Sequence, residues 1–149
     1  MNDLHSLIES RYAWIRLLAS LFVATVGSAG MYVVVVVLPE FQQEFGVSRG
    51  TASVAYTMVM VGFGLGGILF GRMVDRYGVF WPLVFSSVAL GFSFVQAGLS
   101  QTIFSVNMSH LLIGFFGCAI VFAPLVSDIS KWFVKKRGFA VSVCACGNF

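Results

Sequence analysis

Arg72, Asp75 and Arg76 stand close together between Gly71 and Gly78, in the stretch Gly71-Arg72-Met73-Val74-Asp75-Arg76-Tyr77-Gly78. A carboxylate between two guanidinium groups can pair locally, or sit at the positive end of a neighbouring helix. The glycines permit a tight turn and a close approach of one helix to another. Two readings stay open: a latch that favours one arrangement of helices, or an ordinary charged loop. A second group lies at Asn107, His110, Gly114 and Gly117, whose spacing of three, four and three falls on one helical face. Tyr32, with Thr25, Ser28 and Gly30 nearby, adds hydrogen-bonding groups to a third stretch and either faces a cavity or packs. These side chains bond, pair or titrate; they do not form a nucleophile with its base. Cys144-x-Cys146 lacks a nearby His or further Cys to complete four metal ligands, and with Cys118 reads as small buried side chains. No metal, cofactor or enzymatic site is expected.

The elements that position these residues are membrane spans. Hydrophobic residues make up 58 % of the chain and charged residues 10 %, against about 25 % charged in a soluble domain. The runs on either side of the charged stretch, Gly50–Gly71 and Val79–Ser100, carry no charge, and each is near the ~20 residues that cross a bilayer as a helix. From Tyr77 to Ser127 there is again no charge, too long a run for one helix across a ~30 Å core, so a turn is expected at Leu99-Ser100-Gln101-Thr102. The five valines from Val33 to Val37 would suggest a strand in water, but an unpaired strand cannot cross lipid. The fold class is all-α integral membrane, with four full spans and a truncated fifth.

The expected organisation is a polar tail at 1–13, then spans at about 14–38, 50–71, 80–99, 103–127 and 138–149. Pro39 is expected to end the first span and begin a loop to Arg49, where Ser48 or Thr51 caps the second. Pro124 should kink the fourth span or loosen its last turn, ahead of a basic loop holding Asp128, Lys131, Lys135, Lys136 and Arg137. Gly62-x-x-x-Gly66 and Gly67-x-x-x-Gly71 repeat the spacing that lets helices touch, although glycine is also simply common in such helices. The last span makes only about 18 Å of helix, so the chain reads as an N-terminal fragment. The polar start and the length of the first apolar run exclude a cleavable signal peptide.

Charge supplies the orientation. The net charge of +3 says nothing of nucleic acid, and no nucleic-acid partner is expected. With the N-terminus inside, Arg11, Arg16, Arg72, Arg76, Lys131, Lys135, Lys136 and Arg137 are cytoplasmic, and of the nine bases Arg49 alone is outside. Arg16 can snorkel from its span, and Trp14, Trp81 and Trp132 fall at the same interface. His110 lies roughly 10 Å below the opposite surface by helical rise. Asn107-Met108-Ser109 fits a glycosylation pattern but lies inside a span.

Gly71-x-x-x-Asp75-Arg76-x-Gly78, placed between spans 2 and 3, resembles the signature loop of the major facilitator superfamily of secondary transporters. Where that signature continues with bases, this chain has Val79 and Phe80. Trp132-Phe133-x-x-Lys136-Arg137-Gly138, with Pro39-x-Phe41 and Glu44-Phe45-Gly46-Val47-Ser48, resembles the oxalate/formate and monocarboxylate porter branch.

The resemblance implies part of a fold of 12 helices in two six-helix halves that rock about a central site. Helices 1 and 4 would line the cavity, and the loop of Gly71, Arg72, Asp75, Arg76 and Gly78 would gate its cytoplasmic side. The implied partners are a lipid bilayer, a small solute, a proton as coupling ion and the missing C-terminal half. The implied location is the plasma or inner membrane. His110 then titrates during transport or serves as a neutral packing residue. Related transporters often carry an arginine on helix 4, and this chain has none there, so an anionic solute would find its counter-charge in the missing half. The expected function is secondary transport of a small organic solute, such as a monocarboxylate. Drug or metabolite efflux is the alternative within transport; a helical scaffold or a non-functional remnant is the alternative outside it.

Overall fold

The computed structural model describes residues 9–148; most of the 1–13 tail and the end of the fifth span lie outside the described residues. Five helical segments follow one another: α1 (Arg11–Phe45), α2 (Arg49–Tyr77), α3 (Phe80–Gly98), α4 (Ile103–Trp132) and α5 (Arg137–Cys146). The first four are long and apolar enough to cross a membrane. No strand occurs among the described residues.

Three helices start on hydroxyl caps. Ser10 Oγ accepts from Ala13 N at 3.4 Å, Ser48 Oγ from Thr51 N at 3.3 Å, and Thr102 Oγ1 from Ser105 N at 3.2 Å. Each satisfies a donor that the helix leaves open, worth about 1 kcal/mol. Gly46 and Gly78 end α1 and α2 with φ of 59° and 79°, a conformation costly for any residue with a Cβ.

The structure corrects three expectations. Pro39 does not end the first helix, which runs on to Phe45. A proline removes one donor, while the residues beyond it keep their own bonds. Phe41 packs edge-on to His110 with centroids 5.7 Å apart, and Phe41 and Phe45 both lie against buried Val34, Ala55 and Val106. That packing holds the extension in place. The charged stretch is not a turn either. Gly71–Tyr77 is the last part of α2, with Val74 buried, and the chain turns only at Gly78–Val79. Glycine costs a helix about 1 kcal/mol, which does not end one that is otherwise bonded. In α4 the break comes at Phe122 (φ −92°, ψ −89°), and Pro124 sits in the first turn of the next segment, where its missing N–H costs nothing. The helix continues to Trp132. Asp128 and Lys131 are therefore helical rather than in a loop.

α4 is the most buried of the long helices and α3 the least. A π-turn at Gly114–Cys118 interrupts α4, and Ser86 Oγ of α3 donates to the Phe116 carbonyl within it. Hydrocarbon gives helices no hydrophobic reason to associate, so contact depends on close approach and such bonds. A Cβ at Gly62 would strike the Leu111 carbonyl of α4, and one at Gly66 would lie 2.5 Å from the Phe115 carbonyl. Gly114 stands in the same way against the Val59 backbone of α2. A Cβ at Gly67 or Gly71 would meet nothing within 4 Å. Only the first of the two glycine repeats therefore abuts a neighbour, and Gly71 does not bring α2 close to another helix.

Candidate functional site

Midway along α1, Ser28 and Tyr32 lie one helical turn apart and both reach the turn that follows α5. Ser28 Oγ lies 3.1 Å from the Gly147 carbonyl oxygen, and Tyr32 Oη donates to that of Asn148 at 3.1 Å. Gly147 makes this contact possible: a Cβ there would lie 2.8 Å from the Leu21 carbonyl. Beside this junction Met31, Tyr32, Phe63, Cys118, Phe122 and Asn148 line a cleft of about 180 Å³. Three helices and the turn after α5 thus contribute to one wall. Phe63 and Phe122 face each other across α2 and α4 with centroids 6.3 Å apart.

The cleft carries no formal charge. Its polar groups are the Tyr32 hydroxyl, already committed to Asn148, the Cys118 thiol, which donates to the Gly27 carbonyl, and the Asn148 side chain, whose Nδ2 is buried without a partner among the described residues. A buried amide donor left unpaired costs about 1–3 kcal/mol, so this nitrogen is an attractive place for an acceptor oxygen. Aromatic walls with one or two oriented polar groups are the usual make-up of a small-molecule pocket.

The other residues singled out from the sequence lie elsewhere. His110 is buried at the far end of α4, its Nδ1 2.8 Å from the Val106 carbonyl of its own helix, with Phe41 against the ring. A carbonyl can only accept, so Nδ1 carries hydrogen. Asn107 Oδ1 is buried without a partner among the described residues. Neither residue lines the Tyr32 cleft. Nor do Asn107, His110, Gly114 and Gly117 share one environment. Phe41 of α1 meets His110, Val59 of α2 meets Gly114, and Leu90 of α3 meets Gly117. The π-turn shifts the register between them, and α4 is surrounded on several sides.

Asp75, Arg72 and Arg76 are exposed. Among the described residues Arg16–Asp128 is the one ion pair, so Asp75 pairs with neither neighbouring arginine. Arg72 Nη1 donates to the Ile68 carbonyl at 3.3 Å, and Arg76 lies over the Tyr77 ring at 5.5 Å. The ion pair that does form was not expected. Arg16 Nε donates to Asp128 Oδ2 at 2.8 Å, with the guanidinium 4.8 Å over the Trp132 ring. Its signal in the sequence was Asp128 one turn before Trp132, readable only once α4 is known to extend that far. Phe63, Phe122 and Asn148 were also missed; Ser28 stands beside Tyr32 in the sequence as a hydrogen-bonding group of the first span.

Bilayer-length helices packed around a lateral cleft of aromatic and amide groups define a multi-pass α-helical membrane protein with a wall fit for a small molecule. The chain belongs to the Major Facilitator Superfamily, whose family model matches residues 20–149. It is 32 % identical over 103 residues to "MFS-type transporter 1" of Ophiocordyceps sp. (strain BCC 1869), covering 69 % of this chain and 23 % of that protein. It is 31 % identical over 108 residues to the "Ascochitine biosynthesis cluster MFS transporter" of Didymella fabae, covering 71 % and 20 %. Over 86 residues it is 33 % identical to the "Fujikurins efflux protein" of Gibberella fujikuroi (strain CBS 195.34 / IMI 58289 / NRRL A-6831), covering 58 % and 18 %. The chain spans about a fifth of the length of these relatives.

Proposed function

We propose that this chain forms part of the first half of a secondary transporter that exports a small, uncharged organic metabolite by alternating access. The observation that carries the reading is the cleft of Tyr32, Phe63, Phe122 and Asn148, which offers aromatic surface and an amide donor but no cation. A carboxylate moved out of water without a counter-charge costs far more than a neutral solute of equal size. Arg16, the nearest base along α1, is engaged by Asp128. Two of the relatives carry names that speak of a biosynthesis cluster and of efflux, which favours an exported metabolite. On this reading the N-terminus is cytoplasmic, Gly71–Gly78 is the cytoplasmic gate, and the rest of the pathway comes from helices beyond this chain.

A second reading, monocarboxylate transport coupled to protons, is favoured by Trp132-Phe133 and Lys136-Arg137-Gly138. It requires those further helices to supply the cation.

The test is transport by the full product of this reading frame in inside-out vesicles. Neutral aromatic solutes should accumulate under an energised membrane, and Phe122→Ala should raise their KM. Accumulation of lactate or pyruvate with none of the neutral solutes would overturn the export reading and leave the monocarboxylate one.

A further inference from the structure

At the end of the bundle where α2 passes into α3, Met73, Tyr77, Trp81, Pro82 and Phe85 enclose an apolar cleft of about 330 Å³. It opens away from the bundle, because Tyr77, Trp81 and Phe85 are 62 %, 70 % and 58 % exposed. In a membrane helix pair such a surface faces acyl chains. Its upper rim is charged. The Arg76 guanidinium lies over the Tyr77 ring, and Arg72 precedes Arg76 by one turn on the same stripe of α2. Neither arginine forms an ion pair among the described residues. Asp75 is the carboxylate between them, so the stretch keeps a net positive charge. The neighbouring α3 starts at Phe80 with no side-chain cap, and its positive end stands next to the same rim.

We propose that this cleft binds an anionic phospholipid, with an acyl chain against Met73, Tyr77, Trp81 and Phe85 and the phosphate held by Arg76 and Arg72. The cleft wants hydrocarbon and the rim wants an anion, and both demands meet at the membrane boundary where Trp and Tyr settle. A guanidinium fork matches phosphate oxygens better than a point charge does. The ammonium of a zwitterionic headgroup would bring a second cation to a rim already positive, which selects lipids with net negative charge. The site does not depend on which solute the protein moves; it requires the chain to cross the bilayer and the helices beyond it to leave this face of α2 and α3 to lipid.

The test uses the chain reconstituted in phosphatidylcholine nanodiscs doped with phosphatidylglycerol, with retained lipid counted by native mass spectrometry. Phosphatidylglycerol should be retained in preference to phosphatidylcholine. The preference should fall about fivefold for each arginine neutralised, the value of one base near an anionic surface. Arg72→Gln/Arg76→Gln should abolish it and Arg72→Lys/Arg76→Lys should keep most of it. Equal retention of both lipids by the unaltered chain would overturn the site. So would an undiminished preference in the glutamine pair, or its loss in the lysine pair, where charge remains. As a second readout, brominated phosphatidylglycerol should quench tryptophan emission more than brominated phosphatidylcholine does, and Trp81→Phe should remove that difference. A difference that survives Trp81→Phe would place the lipid elsewhere.

Discussion

Arg16 of the first helix donates to Asp128 of the fourth at 2.8 Å, and the same guanidinium covers the face of Trp132. This one side chain joins two helices that are far apart in sequence, at the end where Glu9 also accepts from Lys136 N at 2.9 Å. The pair is neither fully buried nor fully exposed, with side-chain exposures of 31 % and 15 %. Its value therefore lies between the limits for surface and buried pairs.

Arg16→Gln should lower stability by about 1–2 kcal/mol. Asp128→Asn should cost less, because Arg16 keeps Trp132 and can still donate to the amide oxygen. Thermal unfolding followed by circular dichroism in detergent measures both. If Asp128→Asn is the more damaging change, the carboxylate has a partner other than Arg16.

The glycine repeats of α2 make a sharper case. Gly62→Ala should destabilise by about 1–3 kcal/mol, because the new methyl group would meet the Leu111 backbone. Gly67→Ala, with open space around it, should be neutral or stabilise by up to about 1 kcal/mol as a better helix former. The same unfolding measurement compares them. Equal effects would mean that α2 is rotated about its axis from the orientation described.

That contrast marks what the sequence could and could not reveal. The third helix and the start of the fourth lie at the expected residues, because charge-free length and turn residues such as Ser100 and Thr102 are local signals. Ser48 as a cap was legible for the same reason. The fate of Pro39 was not, since the continuation of α1 depends on Phe41 meeting a helix seventy residues away. The break beside Pro124 was expected, but the helix running on past it to Trp132 was not. Spacing placed Gly62 and Gly67 in like repeats, but only the packed bundle distinguishes the face turned to α4. The cleft was half legible. Tyr32 stood out as a polar group in an apolar run, whereas Phe63, Phe122 and Asn148 acquire meaning only from being brought together.

Asp75→Asn tests the gate. Asp75 is exposed and forms no ion pair among the described residues, so the fold should lose less than about 0.5 kcal/mol. Transport by the full reading-frame product should nonetheless fall severalfold if the carboxylate latches the cytoplasmic side. Wild-type turnover with wild-type insertion would remove Asp75 from the mechanism.

His110 gives the last test. Its ring is buried, bonded through Nδ1 to the Val106 carbonyl and closed on one side by Phe41. Both contacts belong to a packing residue, and neither offers the ring an acid or a water-filled path. His110→Gln can keep a donor near the carbonyl and much of the volume, so it should leave the pH profile of transport unchanged. His110→Ala should cost about 1–3 kcal/mol through the lost volume and bond, again without moving that profile. The measurement is initial rate against pH for all three proteins. A profile that flattens in the glutamine variant while its unfolding temperature holds would make His110 a proton carrier after all, and would favour the proton-coupled reading over export driven in another way.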